Sequence, residues 1–326
     1  MDPLIDRFRD CNIAAVIPCY RVEREISSVL TSLPSYLTHV IIVDDASPDG
    51  TLKLVTQFAE RDRRILLIRH EKNEGVGGAM ITGFRKALEL DAQVVVKIDG
   101  DGQMDTTYLP DLILPLLQGR ADYSKGNRFR DFEALQAMPL IRRMGNMALA
   151  FLSKAATGYW NLFDPTNGFV AINGSVLAML PLQSIDRSFF FETSMLAHLH
   201  LIGAVVKDVP MPARYQGERS NLSVRRTLLE FPWKLFKTFV RRLLLKNFIY
   251  DFSMTSIYLL AGVPLLLFGL IFGAVKWIHY ATLNVPAPTG TVMLPTLCVL
   301  LGIQFLIAAI EIDLRSVPKE PLSAQM

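Results

Sequence analysis

Residues 92–103 read AQVVVKIDGDGQ, a strand pattern followed directly by closely spaced polar residues. The run from Ala92 to Asp99 is apolar and β-branched, which predicts a buried strand. An acidic turn follows, in which Asp101 and Gln103 occupy alternate positions after Asp99. Closely spaced oxygen ligands can hold Mg²⁺ or Mn²⁺ together with substrate phosphates. A polar turn without a ligand is the alternative, since Asp and Gly are common in turns.

Three further strands are predicted before this one, with helical segments between them. The strand segments are 13–18 (IAAVIP), 39–44 (HVIIVD) and 65–69 (ILLIR), and the helical segments are 25–33, 51–61 and 75–90. This alternation predicts βαβ units and a largely parallel sheet, that is, an α/β fold. Ligands of such open sheets bind beyond the carboxyl ends of the strands. The polar residues that follow the strands are therefore expected to share one site.

A second polar stretch, VDDASPDGT at 43–51, follows the second strand. Asp44 and Asp45 can accept hydrogen bonds from a base N–H or from ribose hydroxyls. The alternative is a simple turn in which Asp49 caps the next helix. We expect both roles, with Asp49 at the helix start and Asp45 in a binding site. His70, one of five histidines, is interpreted as structural.

Composition excludes some classes of protein. The 326 residues include 34 basic and 31 acidic side chains, a net charge of +3, which is too balanced to indicate nucleic-acid binding. The three cysteines, Cys11, Cys19 and Cys298, have no metal-ligand spacing and fit a reducing compartment. The N-terminus MDPLIDRFRD lacks an apolar signal core, so no secretory signal is expected.

The C-terminal quarter has the pattern of a membrane anchor. Segments 252–275 and 292–310 are apolar and uncharged, and each is near the ~20 residues that span a bilayer. We predict a linker at 276–291. Segment 223–251 interleaves aromatic and basic residues, which predicts amphipathic helices in the membrane interface. The excess of Lys and Arg beside the spans places the main domain and both termini in the cytoplasm.

Several motifs together resemble a known family. They are VIPCYRVEREI, IIVDDASPDGT, KNEGVGGAMITGF and DGDGQ, followed by GNRF at 126–129 and FDPTNGF at 163–169. The chain resembles glycosyltransferase family 2, and within it the polyprenyl-phosphate sugar synthases. The resemblance implies a GT-A nucleotide-sugar domain at 1–222, interfacial helices at 223–251, two transmembrane helices at 252–314 and a cytoplasmic tail at 315–326.

The resemblance also implies roles for individual residues. The implied donor-binding residues are Pro18, Tyr20, Asp45, Asp99, Arg214, Arg219 and Ser220. Asp101 and Gln103 would ligate the metal, and Arg128 would meet the acceptor phosphate. Headgroup binding is the alternative for the arginines near 214–219, and Arg142 and Arg143 share this ambiguity. The segment 164–169 matches one that closes over the acceptor, although a plain Asx turn would read the same.

Two positions keep alternatives open. Glu192 lies where relatives with soluble acceptors place a catalytic carboxylate, but a buried Glu at a helix start fits equally. Family members often read Pro-x-Tyr-Asn-Glu, whereas here Arg21 and Val22 occupy the last two places and the acid, Glu23, comes one residue later. This departure leaves the role of Glu23 and the identity of the base open.

We therefore expect inverting transfer of a sugar, from a UDP-sugar rather than a GDP-sugar, to a polyprenyl phosphate. The alternatives are transfer to a sugar hydroxyl, with Glu192 as base, and a nucleotide-binding membrane protein that regulates an assembly without chemistry. An oxidoreductase is disfavoured because no GxGxxG follows the first strand. Assembly of the membrane helices into a homo-oligomer stays open.

Overall fold

The computed structural model describes residues 8–128, 140–212 and 224–325. The chain forms two compact units. The first comprises Met1–Phe239 with Pro318–Met326, and the second comprises Val240–Val317. The C-terminal tail thus belongs to the first unit, although the sequence predicts it only as an appendage of the membrane segment.

The first unit is built on one seven-stranded sheet with the order β3-β2-β1-β4-β6-β5-β7. The strands are β1 (Ile13–Cys19), β2 (His39–Asp44), β3 (Ile65–Arg69), β4 (Val94–Lys97), β5 (Tyr123–Asn127), β6 (Val170–Asn173) and β7 (Val206–Pro210). The four predicted strands are confirmed and pair in parallel. The sheet as a whole is mixed, because β6 runs antiparallel to both β4 and β5.

Helices cover the sheet in the first unit. They are α1 (Ile26–Thr31), α2 (Thr51–Arg61), α3 (Val76–Glu89), α4 (Leu109–Leu117), α5 (Leu140–Thr157), α6 (Gly174–Ala178), α7 (Phe191–Leu201) and the start of α8 (Val224–Leu244). The predicted helices at 51–61 and 75–90 are confirmed to within a residue. Helix α3 lies so close to β1 that a Cβ on Gly83 would stand 2.2 Å from a methyl group of Val16.

The direction of the strands explains where the polar residues collect. Because β1, β2 and β4 are parallel, Cys19, Asp44 and Lys97 end at one edge of the sheet. Strand β5 is antiparallel to β6, which is itself antiparallel to β4. Its last residue, Asn127, therefore reaches the same edge. The fold collects side chains from distant parts of the chain at this carboxyl edge, as expected for an open sheet.

The second unit contains two long apolar helices, α9 (Met254–Leu283) and α10 (Thr289–Arg315). Each has a segment of mean hydropathy 2.3 and is long enough to cross a membrane. The predicted spans are confirmed as helices, but the linker predicted at 276–291 is wrong in length, because only residues 284–288 separate the helices. The sequence pattern marks apolar residues, whereas a helix continues through polar ones until a residue such as Asn284, at φ 55°, ends it.

The two apolar helices approach each other at glycines. A Cβ on Gly302 would stand 2.7 Å from the backbone nitrogen of Leu266, and one on Gly269 would stand 2.8 Å from a methyl group of Val299. Small residues let helix backbones come close, which is the usual way that membrane helices associate.

A buried ion pair joins the end of α8 to the end of α10 within the second unit. Arg242 donates to both oxygens of Asp313 at 2.7 and 2.9 Å, and the two side chains are 1% and 7% exposed. Removing one partner of a buried pair leaves an uncompensated charge, which costs about 3–5 kcal/mol.

We therefore expect Asp313→Asn to lower the free energy of unfolding by about 3–5 kcal/mol, measured as a large fall in melting temperature in detergent. Glu311→Gln is the matched control, because Glu311 pairs with Arg315 at 2.6 Å on an exposed surface, where pairs contribute about 0–1 kcal/mol. Equal shifts for the two variants would show that the buried pair has no special weight.

Candidate active site

A cavity of about 460 Å³ opens at the carboxyl edge of the sheet in the first unit. The charged and amide side chains that line it, here called the polar wall, are Asp99, Gln103, Asp105, Arg128, Asn167 and Glu192. Apolar and aromatic side chains also line it, among them Tyr108, Leu149, Phe189, Met211 and Phe231. A ligand with a charged end and an apolar remainder would match this mixed lining.

A buried lysine lies beneath the polar wall. The Nζ of Lys97, at the end of β4, is 2.7 Å from Oδ1 of Asp99 and 3.2 Å from Oε1 of Glu192. Lys97 is 2% exposed and Glu192 15%. Burial lowers the pKa of Lys97, but the carboxylates of Asp99 and Glu192 outweigh it and raise that pKa overall. Lys97 is therefore a permanent cation between two carboxylates.

Gly168 closes the space above this group. A Cβ at residue 168 would stand 2.5 Å from Nζ of Lys97, 3.2 Å from Oδ2 of Asp99 and 3.3 Å from Oε1 of Glu192. A side chain there would require the ammonium group of Lys97 to shift. The Asx turn that the sequence leaves open is present, since Oδ1 of Asn167 accepts the backbone N–H of Phe169, and a role of the segment in closing over the acceptor stays a prediction.

A second buried lysine, Lys125 of β5, supports the same segment. Its Nζ donates a short hydrogen bond to the carbonyl oxygen of Asn167. Burial lowers the pKa of Lys125 to about 8, against the opposing effect of nearby carboxylates such as Asp164 and Glu192. Asn167 in turn accepts the backbone N–H of Phe169 at 2.9 Å. These bonds hold the segment 164–169 against the sheet.

Arg128 lies at the cavity wall and is held by a carboxylate. Its Nε donates to Oδ2 of Asp164 at 2.8 Å, and Nη2 donates to Oδ1 at 3.3 Å. Asp164 is fully buried, whereas Arg128 stays partly exposed. Guanidinium groups pair with carboxylates and phosphates through charge-assisted hydrogen bonds. The predicted position of Arg128 at a phosphate site is compatible with this arrangement.

Asp45 is surrounded by the polypeptide. One oxygen accepts from the backbone N–H of Glu74 at 2.8 Å and faces Nδ1 of His70 at 2.7 Å, and the other accepts from the N–H of Gly75 at 2.8 Å. The Asp45 side chain is 3% exposed. It fastens the loop before α3 to β2, and His70 has the structural role predicted for it. A contact of Asp45 with a nucleotide stays a prediction.

The shifted acid of the first motif has a local partner. Oε2 of Glu23 accepts the backbone N–H of Gly50 at 2.9 Å, just before α2. The N-cap of α2 is Gly50 and not Asp49; Asp49, one residue earlier, accepts the N–H and the hydroxyl of Thr51 at 3.3 and 2.7 Å. Tyr20 is exposed, with the guanidinium of Arg21 5.3 Å from its ring centroid. Pro18 and Tyr20 thus lie at the end of β1, where a base pocket is expected.

The acidic turn has oxygen donors suited to a hard cation. Asp99, Gln103 and Asp105 all line the cavity, and Asp99 has one oxygen on Lys97. In the described parts of the chain, no three His, Cys, Asp or Glu side chains are gathered as a metal site. Mg²⁺ is usually bound by one or two carboxylates, water and substrate phosphates, so the residues present fit such an ion. Oδ1 of Asp101 accepts the N–H of Gln103 at 3.1 Å, and Asp101 itself is not among the lining residues.

Some predicted residues cannot be compared with the structure. Arg214, Arg219 and Ser220 lie outside the described residues, as do the side chains of Arg142 and Arg143. Their roles stay predictions.

The sequence analysis assigns no role to two lysines of the site, Lys97 and Lys125, although each places a lone charge within a strand, VVVK and YSKGN. A lysine inside a buried strand requires a counter-ion or hydrogen-bond partner, and this signal was available.

Two relatives with stated activities are similar to this chain. The chain is 33% identical over 184 residues, 52% of its length, to UDP-N-acetylglucosamine–dolichyl-phosphate N-acetylglucosaminyltransferase of Methanococcus voltae, of which 73% is covered. It is 29% identical over 202 residues, 61% of its length, to undecaprenyl-phosphate mannosyltransferase of Micrococcus luteus, of which 82% is covered.

The fold is similar to solved structures at low identity. Mannosyl-3-phosphoglycerate synthase of Rubrobacter xylanophilus aligns with a TM-score of 0.55 at 15% identity, over 77% of this chain and 80% of that one. Glucosyl-3-phosphoglycerate synthase of Mycobacterium tuberculosis, in complex with UDP, aligns with a TM-score of 0.53 at 18% identity, over 73% and 82%. These likenesses confirm the α/β fold of GT-A type that the motifs predict. Residues 14–179 match the model of Glycosyl transferase family 2, and the chain belongs to this family of glycosyltransferases.

Proposed function

We propose that this glycosyltransferase moves a sugar from a nucleotide-sugar donor, with a UDP-sugar favoured, to the phosphate of a polyprenyl phosphate at the cytoplasmic membrane face. The observation that carries the proposal is one cavity lined both by the cationic Arg128 and by the apolar side chains of Leu149, Phe189 and Phe231. The names of the Methanococcus and Micrococcus relatives support the same acceptor class.

A phosphate acceptor also suits the state of Glu192. A phosphate monoester is largely ionised at pH 7, because its second pKa is about 6, so it needs no strong base to become a nucleophile. A sugar hydroxyl does need one. Here Oε1 of Glu192 is engaged by the ammonium of Lys97 at 3.2 Å. This pairing favours a counter-ion role for Glu192 over that of a general base.

The main requirement of the reaction is then to stabilise negative charge. Two anions must meet, and negative charge grows on the departing nucleotide diphosphate. Arg128 would bind and orient the acceptor phosphate and offset the repulsion. Asp101 and Gln103 would hold Mg²⁺ or Mn²⁺, with Asp99 on the diphosphate side, and the ion would supply Lewis acidity to the leaving group. Direct displacement by the acceptor oxygen inverts the anomeric centre.

The membrane location follows from apolar surfaces on both units. In the first unit, Met147 and Phe151 of α5 and Trp233 and Phe236 of α8 are exposed apolar residues. Exposed apolar residues beside basic ones are typical of interfacial helices. In the second unit, a short connection joins two helices long enough to span. A chain that crosses twice returns to the side on which it started, and the Lys and Arg residues beside the spans favour the cytoplasm as that side.

The test is a panel of radiolabelled UDP- and GDP-sugars supplied to the membrane-bound enzyme with undecaprenyl phosphate. We expect one donor to yield a lipid-linked sugar whose bond to phosphate is inverted relative to the donor. A Glu192→Gln variant should lose less than about tenfold in kcat, because the base contributes little for a phosphate acceptor. Absence of labelled lipid with every donor, or a loss above about 10³-fold for Glu192→Gln, would instead favour a sugar hydroxyl as acceptor.

A further inference from the structure

Two buried lysines lie on one row of the sheet beneath the cavity. Lys97 of β4 and Lys125 of β5 are both in register with Val170 of the intervening strand β6, so the three side chains share one face of the sheet. Both lysines are buried. Burying an ammonium group is costly unless partners compensate it, so the partners of each lysine decide what it does.

The two lysines differ in what they hold. Lys125 binds a backbone carbonyl, that of Asn167. Lys97 binds two carboxylates that come from different elements, Asp99 on the acidic turn after β4 and Glu192 in the first turn of α7. Asp99 and Glu192 also line the cavity. Lys97 thus pairs with two acidic residues that line the cavity, without lining the cavity itself.

The surrounding structure leaves little room for another arrangement. Gly168 packs so closely over the ammonium group that a Cβ there would be 2.5 Å from Nζ. Without Lys97, the carboxylates of Asp99 and Glu192 would face the same buried spot, where repulsion between like charges is poorly screened. One or both would have to turn away, which would change the shape and charge of the cavity wall.

We propose that Lys97 is a positioning residue of the transfer reaction, which acts by holding the Asp99 and Glu192 carboxylates on either side of one ammonium group. Glu192 then serves as its counter-ion and not as a proton acceptor. The inference rests on the proposed function, because that function assigns Asp99 to the diphosphate side of the donor and makes Glu192 a counter-ion.

A double-mutant cycle tests this assignment. The variants are Lys97→Met, Glu192→Gln and the two combined, with Lys86→Met as matched control, since Lys86 pairs with Glu89 at 3.0 Å on an exposed face of α3. Lys97→Met should lower kcat about 30-fold, with the KM for undecaprenyl phosphate changed less than about threefold. The combined variant should recover at least about fivefold over Lys97→Met, because it removes the unpaired carboxylate.

A second readout separates this inference from the proposed function. Calorimetric titration of the full-length variants with UDP or GDP and Mn²⁺ needs no acceptor. Lys97→Met should weaken nucleotide binding about tenfold, with the combined variant in between. Additive losses in the cycle, or a Lys97→Met variant that behaves like Lys86→Met in both assays, would overturn the assignment. If the wild type binds nucleotide but glycosylates no polyprenyl phosphate, the proposed function fails. The nucleotide-binding data would still test the positioning role of Lys97.

Discussion

Removal of divalent cations with EDTA is expected to abolish sugar transfer, and Mn²⁺ or Mg²⁺ should restore it. Asp101→Asn with Gln103→Leu should lower kcat by about 10³-fold, because the charge that grows on the leaving diphosphate would lose its cation. The measurement is the initial rate of lipid glycosylation at fixed Mn²⁺, together with Mn²⁺ binding followed by electron paramagnetic resonance. Loss of binding and of rate should go together.

The control for the acidic turn is Asp111→Asn. Asp111 is an exposed carboxylate in the first turn of α4, and it does not line the cavity. Its replacement by Asn removes one negative charge, as Asp101→Asn does. We expect it to leave rate and Mn²⁺ binding unchanged. Full activity in EDTA would show that transfer needs no divalent cation. An Asp101→Asn, Gln103→Leu variant that still binds Mn²⁺ as the wild type does would show that these two residues do not hold it.

Arg128→Gln is expected to reduce kcat/KM for the lipid acceptor by about 10²–10³-fold, the usual cost of losing a charged donor to a reacting oxyanion. The nucleotide should still bind with its normal affinity, since the loss concerns the acceptor. Steady-state kinetics with varied undecaprenyl phosphate, and nucleotide titration of the same protein, measure the two effects. The variant also leaves buried Asp164 without its guanidinium partner, so stability must be measured alongside.

Arg64→Gln is the matched control for this variant. Arg64 also makes a forked pair, with Nε at 3.0 Å and Nη2 at 2.7 Å from the oxygens of Asp62, but it does not line the cavity. A fall in kcat/KM of similar size for both arginines would attribute the loss to stability. An acceptor KM and kcat unchanged in Arg128→Gln would show that another cation meets the phosphate.

Some residues of the site can be predicted from the sequence and others cannot. Asp99 and Gln103 follow a strand of strong apolar pattern, so their place at the carboxyl edge could be predicted, and both line the cavity. For Glu192 the sequence leaves two roles open, a catalytic carboxylate and a buried residue at a helix start. Its pairing partner Lys97 lies 95 positions away in the chain, and local patterns carry no information about such contacts. The same limit applies to Gly168, whose close neighbours lie on two distant segments, residues 97–99 and the helix start at Glu192.

The first four strands with the helices between them, the two membrane-length helices and the family motifs could be read from the chain alone, because hydrophobic periodicity and turn residues are local properties. The reversal of β6, the inclusion of the tail after Pro318 in the sheet unit and the ion group around Lys97 were decided only in three dimensions. Each of these depends on which distant surfaces meet, and buried charges are stable only where such a meeting supplies their partners.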